Sequence, residues 1–175
     1  MNYPQEYLVA IDRILGHEGK YQNHYDDHGN WTGGKVGQGV RKGTKFGISA
    51  ASYPDLDIKS LTREQVKEIY YRDFWLRLGG EAFHKALMYQ ILDASVHHGC
   101  WRAIVFLQRC VNANPDGYYG PKTEAAVKAA ELNDTLMLFI AERLDFMNDL
   151  TLWAQFSRGW SQRIVENLRF AALDN

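Results

Sequence analysis

The chain has no long apolar segment. No stretch reaches the roughly 18 consecutive apolar residues that indicate a membrane-spanning helix. The first residues, MNYPQE, also lack the basic segment and the apolar segment that together form a secretory signal peptide. We therefore expect neither stable membrane insertion nor a signal peptide. A role outside the cytoplasmic membrane would then need another route out of the cell.

An excess of charge of either sign is also missing. Lys and Arg number 20 against 21 Asp and Glu, so the net charge is -1. A surface that binds nucleic acid carries a clear basic excess, so we expect no nucleic-acid partner. Hydrophobic residues make up 46% of the chain and charged residues 23%, which is typical of a folded globular protein.

Cysteine is scarce. The two cysteines, Cys100 and Cys110, lie in a segment with a helical pattern. Ten positions of straight helix span about 15 Å, which exceeds the reach of a disulfide. We therefore expect two free thiols and synthesis in a reducing compartment.

The N-terminal third changes from a helical pattern to a glycine-rich one. Residues 4–17 place Tyr7, Ile11 and Ile14 on one helical face. Residues 19–49 then hold more than half of the fifteen glycines, which indicates turns. Within them, the short alternating pieces 35–40 and 44–48 predict small β-hairpins.

The rest of the chain is helical in pattern. A capping box at residues 62–65 opens one helix. The later predicted helices cover residues 81–98, 101–112, a segment that begins at Pro121, 135–150 and 158–172, with breaks at Gly99 and at Asn133-Asp134. The predicted fold class is mainly α (α+β): a helical bundle with a small glycine-rich β-hairpin region in the N-terminal third.

Two carboxyl groups stand close together in the sequence near the end of the first helix. Glu18 precedes Asp27 by nine positions, and the stretch between them is polar. A glycosidase needs one carboxyl to protonate the leaving oxygen and a second group to stabilise charge or to activate water. Such pairs also arise by chance. The residues alone favour a plainer interpretation, with Glu18 as a helix-end charge and Asp26-Asp27 as turn formers.

Ordered motifs along the chain carry more information. The first three are EGKY at 18–21, DHG at 27–29 and GTKFGIS at 43–49. Four more follow: YYRDFW at 70–75, DASVHHG at 93–99, DGYYGPKT at 116–123 and GWSQR at 159–163. This ordered set resembles glycoside hydrolase family 108.

The resemblance implies a lysozyme-like fold and N-acetylmuramidase activity on bacterial peptidoglycan, with Glu18 as the catalytic acid. The order of Glu18, Asp27 and Thr44 is also similar to the Glu–Asp–Thr triad of phage T4-type lysozymes, which makes Asp27 and Thr44 the catalytic partners. The predicted substrate-binding residues are Tyr21, Trp31, Phe46, His97 and His98. We expect a single domain, residues 1–175, with a catalytic part (1–99, including the hairpin segment 19–49) and a helical part (100–175).

The sequence departs from the family pattern in three places. Lys20 replaces a glycine, and His97 stands where the family tends to have asparagine. The third departure is an insertion between Gly29 and Gly43, which leaves the catalytic threonine open between Thr32 and Thr44. Thr44 keeps the family's register with the glycine that follows it. The insertion grips glycan through Trp31, contacts wall peptides with its cations, or forms an exposed hairpin.

The predicted function is that of an endolysin, a peptidoglycan hydrolase that cleaves the β-1,4 bond between N-acetylmuramic acid and N-acetylglucosamine and lyses bacterial cells. We expect a monomer made in the host bacterial cytoplasm, which reaches the wall in the periplasm after a holin opens the membrane. The histidine and carboxylate spacing fits no metal motif, so we expect neither metal nor cofactor. The alternatives are a lytic transglycosylase and a non-catalytic peptidoglycan-binding or secretion-accessory protein.

Overall fold

The computed structural model describes residues 2–17 and 20–175, so Glu18, the predicted catalytic acid, lies outside the described residues. The described residues form seven α-helices and one two-stranded antiparallel sheet, which confirms the mainly-α class. The chain divides into two units, Met1–Asp73 and Phe74–Asn175. The expectation of a single domain stays a prediction.

Two α-helices organise the first unit. The predicted first helix is confirmed as α1, Gln5–His17, which buries Tyr7, Ile11 and Ile14. The capping box is also confirmed, because the Thr62 and Gln65 side chains cap α2, Arg63–Tyr70, from both directions. The Tyr7 hydroxyl donates to the main-chain carbonyl of Lys67, so the two helices of this unit are joined directly.

The glycine-rich region contains one of the two predicted hairpins. Strands β1, Thr44–Lys45, and β2, Ile48–Ser49, pair with Thr44 opposite Ser49. Between the strands, Phe46 and Gly47 both have positive φ (51° and 78°), as a tight two-residue hairpin turn requires.

Residues 35–40, the other predicted hairpin piece, form no strand. They lie in an irregular loop that a single bridge closes between Trp31 and Arg41. Gly34, Gly37 and Gly39 adopt positive φ, which interrupts any extended stretch. A Cβ at Gly39 would lie 2.2 Å from Thr32 Oγ1, so this close approach requires glycine.

The second unit is built around α3, Lys85–His98, whose residues Ala86 to Ser95 are all buried. The other helices are α4, Cys100–Cys110; α5, Pro121–Ala129; α6, Leu132–Asn148; and α7, Trp153–Asp174. Helix α3 packs against α4, α6 and α7. The central buried helix and the start of α5 at Pro121 were both predicted.

Three predicted boundaries in this unit are wrong. Helix α3 begins at Lys85 rather than at residue 81, because Gly80–Ala82 is a 3-10 turn and His84 caps the helix. Asn133-Asp134 is not a break but belongs to the first turn of α6, which the Glu131 side chain caps. Helix α7 begins earlier than predicted, at Trp153.

Cys100 and Cys110 are the first and last residues of α4, as the helical pattern predicts. None of the helices in the described part of the chain is long and apolar enough to cross a membrane.

Candidate active site

Asp27 is held at the start of a short 3-10 turn, His28–Asn30, in the first unit. Its Oδ1 accepts a hydrogen bond from the Gly29 main-chain nitrogen at 2.8 Å, and its Oδ2 accepts one from Gln22 Nε2 at 2.8 Å. One donor on each oxygen fixes the plane of the carboxylate. Each oxygen keeps a further lone pair, so Asp27 can still accept a hydrogen bond from a water or a sugar hydroxyl.

Thr44 faces the same space from the first strand of the hairpin. A Cβ at Gly29 would lie 3.2 Å from Asp27 Oδ1 and 3.8 Å from Thr44 Oγ1. The carboxylate and the hydroxyl therefore both lie close to Gly29, and so does Ser49 Cβ, 3.7 Å from the same point. The structure thus brings together two residues that the sequence analysis paired as catalytic partners.

Asn30 is fully buried and is linked to Thr44 directly and to the Asp27 carboxylate through Gln22. Its Oδ1 accepts hydrogen bonds from Thr44 Oγ1 at 2.8 Å and from Gln22 Nε2 at 3.1 Å. Its Nδ2 donates to Gln22 Oε1 and to the His24 carbonyl. Because the Thr44 hydroxyl already donates its only hydrogen to Asn30, its oxygen can act only as an acceptor towards other groups.

Asn30 and Gln22 were not predicted as site residues. Asn30 follows Gly29 in a pair that is a common turn signal, and its local pattern predicts only that turn. Gln22 pairs with Thr44 through an isolated bridge between two segments distant in sequence. No periodicity or spacing marks such a tertiary contact.

Thr32, the alternative catalytic threonine, lies within the insertion. Its Oγ1 accepts a hydrogen bond from the Val40 main-chain nitrogen at 2.9 Å, and its own nitrogen donates to the Val40 carbonyl at 3.0 Å. These contacts hold the two sides of the loop together. Among the described contacts, Thr44 rather than Thr32 shares the space at Gly29 with Asp27.

Tyr21 and Phe46 have different surroundings. Tyr21 is half-buried, and a Cβ at Gly43 would lie 2.7 Å from its ring carbon Cε2, so the ring packs directly on the backbone before Thr44. The Phe46 ring instead lies near the cations of Lys45, at 5.5 Å, and Arg63, at 5.9 Å. Of the two, Tyr21 is the ring in contact with the segment that leads to Thr44.

Trp31 belongs to an aromatic and cationic cluster at the base of the insertion. Its Nε1 donates to the Tyr25 carbonyl at 2.9 Å, and the two rings meet edge to face with centroids 5.3 Å apart. The Arg41 guanidinium lies 5.5 Å from the Tyr25 ring centroid and 5.8 Å from that of Trp31. The base of the insertion is therefore packed.

His97 and His98 lie in the second unit, at the end of α3, beside the buried Arg143. Arg143 Nε donates to His98 Nε2 at 3.2 Å, and Arg143 Nη2 lies 3.2 Å from His97 Nδ1. Burial and neighbouring positive groups lower the pKa of His97 to about 3 and that of His98 to about 2. Both imidazoles are therefore neutral near pH 7 and act as hydrogen-bond partners of Arg143.

Asp93 completes this network. Its buried carboxylate lies 2.6 Å from Arg143 Nη1, and it accepts from Arg163 Nη2 at 2.8 Å and from Asn167 Nδ2 at 2.7 Å. Burial alone would raise the pKa of Asp93, but the two guanidinium groups hold it far below its usual value. The network joins α3, α6 and α7, so the described contacts of both histidines are those of a buried packing element.

Comparison with known proteins gives one family and a structural neighbour. The family model described as "Glycosyl hydrolase 108" matches residues 11–99. The solved structure of Brucella abortus SagA is similar at a TM-score of 0.80 and 25% sequence identity, over 96% of this chain and 94% of that one. No curated protein matches the chain.

Proposed function

We infer the function from the family: the matched region covers more than half of the 175 residues, so the chain belongs to the glycosyl hydrolase 108 family. It is therefore a glycoside hydrolase. The similarity to SagA extends over nearly the whole length of both chains.

We propose that the chain is an N-acetylmuramidase, which hydrolyses the β-1,4 bond between N-acetylmuramic acid and N-acetylglucosamine in peptidoglycan. The observation that carries the proposal is that Asp27 Oδ1 and Thr44 Oγ1 both lie beside Gly29, 3.2 Å and 3.8 Å from the point where a Cβ would stand. A carboxylate and a hydroxyl acceptor that face one small space can hold a water molecule. Hydrolysis of a glycosidic bond needs a water held in this way.

In the proposed mechanism, Glu18 is the general acid and protonates the glycosidic oxygen as the bond to the anomeric carbon breaks. Thr44, whose proton is committed to Asn30, accepts one O–H of the water. Asp27 accepts the other O–H and takes up that proton as the water oxygen bonds to the anomeric carbon. The ionised Asp27 also stabilises the positive charge that develops on the sugar ring.

The hydrogen bonds around Asn30 support this assignment of acceptors. Asn30 Nδ2 donates to the His24 carbonyl and to Gln22 Oε1, which fixes its amide with Oδ1 towards Thr44. Thr44 therefore presents a lone pair rather than a proton to the space at Gly29. We accordingly propose Thr44, rather than Thr32, as the partner of Asp27.

Mass spectrometry of digested peptidoglycan tests the reaction. Hydrolysis adds one water at each cut and leaves fragments that end in reducing N-acetylmuramic acid. In a lytic transglycosylase, a hydroxyl of the same muramic acid attacks in place of water. The fragment then ends in an anhydro sugar, and its mass is lower by one water than that of the hydrolysis product. We expect only hydrated ends. Anhydro ends would establish the transglycosylase, and a wall that releases no fragments would leave the non-catalytic binding or secretion-accessory alternative.

We further propose that the enzyme lyses bacterial cells as a monomeric endolysin, made in the cytoplasm and released to the wall when a holin opens the membrane. Expression in a bacterial host, with and without permeabilisation of the inner membrane by chloroform, tests the order of these events. The proposal predicts intact cells before chloroform and rapid loss of turbidity after it. Lysis before permeabilisation would contradict a requirement for a holin.

A further inference from the structure

The insertion between Gly29 and Gly43 concentrates positive charge. From His28 to Pro54, the charged residues (with His neutral) are Lys35, Arg41, Lys42 and Lys45, and none is acidic. The whole chain nevertheless carries a net charge of -1. We call residues 31–42 the cationic loop. A local positive field in an otherwise slightly acidic protein indicates a partner that carries negative charge.

The cationic loop is internally organised. Main-chain bonds join Gly33 to the Gln38 carbonyl at 3.1 Å and Gln38 to the Lys35 carbonyl at 3.0 Å. A Cβ at Gly33 would lie 2.8 Å from the Gln38 Cβ, so the two sides of the loop touch. A loop that is already ordered loses little entropy when it binds a ligand.

Two cations of the loop are available to a ligand. Lys42 is engaged, because its Nζ donates to the Pro54 carbonyl. Lys35 and Arg41 are exposed, and neither forms an ion pair with any residue in the described ranges. The Arg41 guanidinium lies over the Tyr25 and Trp31 rings. Such stacking leaves the N–H edge of a guanidinium open for a two-point hydrogen bond to a carboxylate.

The loop is anchored at the candidate active site. The main-chain nitrogens of Lys42 and Gly43 donate to the Asn30 carbonyl at 2.9 Å and 3.2 Å. Asn30 is the same buried residue that accepts a hydrogen bond from the Thr44 hydroxyl. A substrate held at Asp27 and Thr44 therefore lies beside the base of the cationic loop.

We propose that the cationic loop binds the free carboxylates of the stem peptides on muramic acid, through Arg41 held over Tyr25 and Trp31 and through Lys35. Peptide-substituted glycan is then the preferred substrate over bare glycan. The inference rests on the proposed function, because it names the substrate class of that same site. In peptide-substituted glycan the lactyl carboxyl of muramic acid is held as an amide and the sugars offer hydroxyl and amide groups, so the free carboxylates of the stem peptides are the anionic groups.

The kinetic test compares two substrates and three proteins. The substrates are peptidoglycan free of attached phosphate polymers, and the same glycan after an amidase has removed its stem peptides and the muramic acid carboxyl groups that this exposes have been converted to methylamides. The proteins are the wild type, the double variant Lys35→Gln/Arg41→Gln, and the control Lys85→Gln/Lys122→Gln. The control removes two exposed cations from the second unit, so its net charge changes by the same amount as that of the loop variant.

The rate of appearance of new reducing ends, as kcat/KM, is the readout. We expect the wild type and the control to cut peptide-substituted glycan about tenfold faster than bare glycan, the effect of one charge-assisted contact. The loop variant should lose this ratio while it keeps its rate on bare glycan. The preference should also weaken as salt is raised, because exposed charges are screened. An unchanged ratio in the loop variant would overturn the inference.

A binding test keeps this result separate from a failure of the proposed reaction. Each protein carries Glu18→Gln and is sedimented with insoluble peptidoglycan, in the presence of free stem peptide or of the same peptide with its carboxylates amidated. The inference predicts that only the unblocked peptide competes, and that the loop variant sediments less than the control. Equal competition by both peptides would overturn it. If the wild type cuts neither glycan, the proposed function fails, while this binding result still decides the role of the loop.

Discussion

Asp27 and Thr44 come from separate segments of the first unit and face the same empty Cβ position of Gly29, at 3.2 Å and 3.8 Å. A 3-10 turn holds the first residue and a β-hairpin holds the second. Buried Asn30 accepts a hydrogen bond from the Thr44 hydroxyl, and Gln22 links it to the Asp27 carboxylate. The space at Gly29 is therefore as much a part of the proposed site as the two side chains that border it.

The first prediction concerns Gly29→Ala. The added methyl group would lie 3.2 Å from Asp27 Oδ1, a tight contact, and would shift the carboxylate from the position in which it is proposed to hold water. We expect a fall in kcat of about a hundredfold, the cost of misplacing a reacting group, with a small change in Tm. Gly159→Ala is the matched control, because a Cβ there meets nothing within 4 Å. Full activity in Gly29→Ala would contradict the proposed position of the water.

The second prediction separates the two threonines. Thr44→Val removes the acceptor proposed to orient water, and we expect kcat to fall about a hundredfold or more. Thr32→Val loses the hydrogen bond from the Val40 nitrogen, so we expect a loss of about 1 kcal/mol in unfolding free energy and little change in kcat. Kinetics and thermal unfolding of both variants provide the comparison. The opposite pattern, with kcat lost in Thr32→Val alone, would assign the role to Thr32.

The third prediction concerns stability and pH. The pKa values of His97 and His98, about 3 and about 2 in the folded chain, lie well below the ordinary histidine value of 6.5. Between pH 6.5 and pH 3 the unfolded chain therefore binds protons that the folded chain does not. Stability is full above pH 6.5 and falls on acidification, by about 1.4 kcal/mol per pH unit for each histidine. The low pKa of Asp93 adds a further loss below about pH 4.

Thermal unfolding from pH 7.5 to pH 4 measures this dependence. His98→Gln removes one half-buried imidazole with a lowered pKa, so the decline of Tm between pH 6 and pH 4 should be shallower than in the wild type. The control, His24→Gln, changes an exposed histidine and should keep the wild-type slope. Identical slopes in all three proteins would show that the half-buried histidines are not the source of the pH dependence.

Local sequence patterns predicted the elements that depend on local interactions. The capping box before α2, the proline at the start of α5 and the β1–β2 hairpin were all predicted from residues within a few positions of one another. The break placed at Asn133-Asp134 was wrong because these residues are also favoured in the first turn of a helix, where they lie in α6.

Local sequence patterns did not predict the contacts between distant segments. Asp93 meets Arg143 and Arg163 across three helices, and Asn30 meets Gln22 and Thr44 across three segments of the first unit. The pairing of Asp27 with Thr44 came from the similarity to the Glu–Asp–Thr triad of phage T4-type lysozymes, and the sequence left Thr32 as an alternative. The described geometry adds the space at Gly29, which no local pattern marks.

The most direct test of the account is the rate at which Glu18→Gln clears a suspension of bacteria with permeabilised outer membranes. The substitution keeps the shape of the side chain but removes the proton that the glycosidic oxygen needs. We predict a loss of at least about a hundredfold in clearing rate. Glu6→Gln, which changes an exposed glutamate of α1, should clear at the wild-type rate. Clearing by Glu18→Gln at the wild-type rate would contradict the assignment of Glu18 as the catalytic acid.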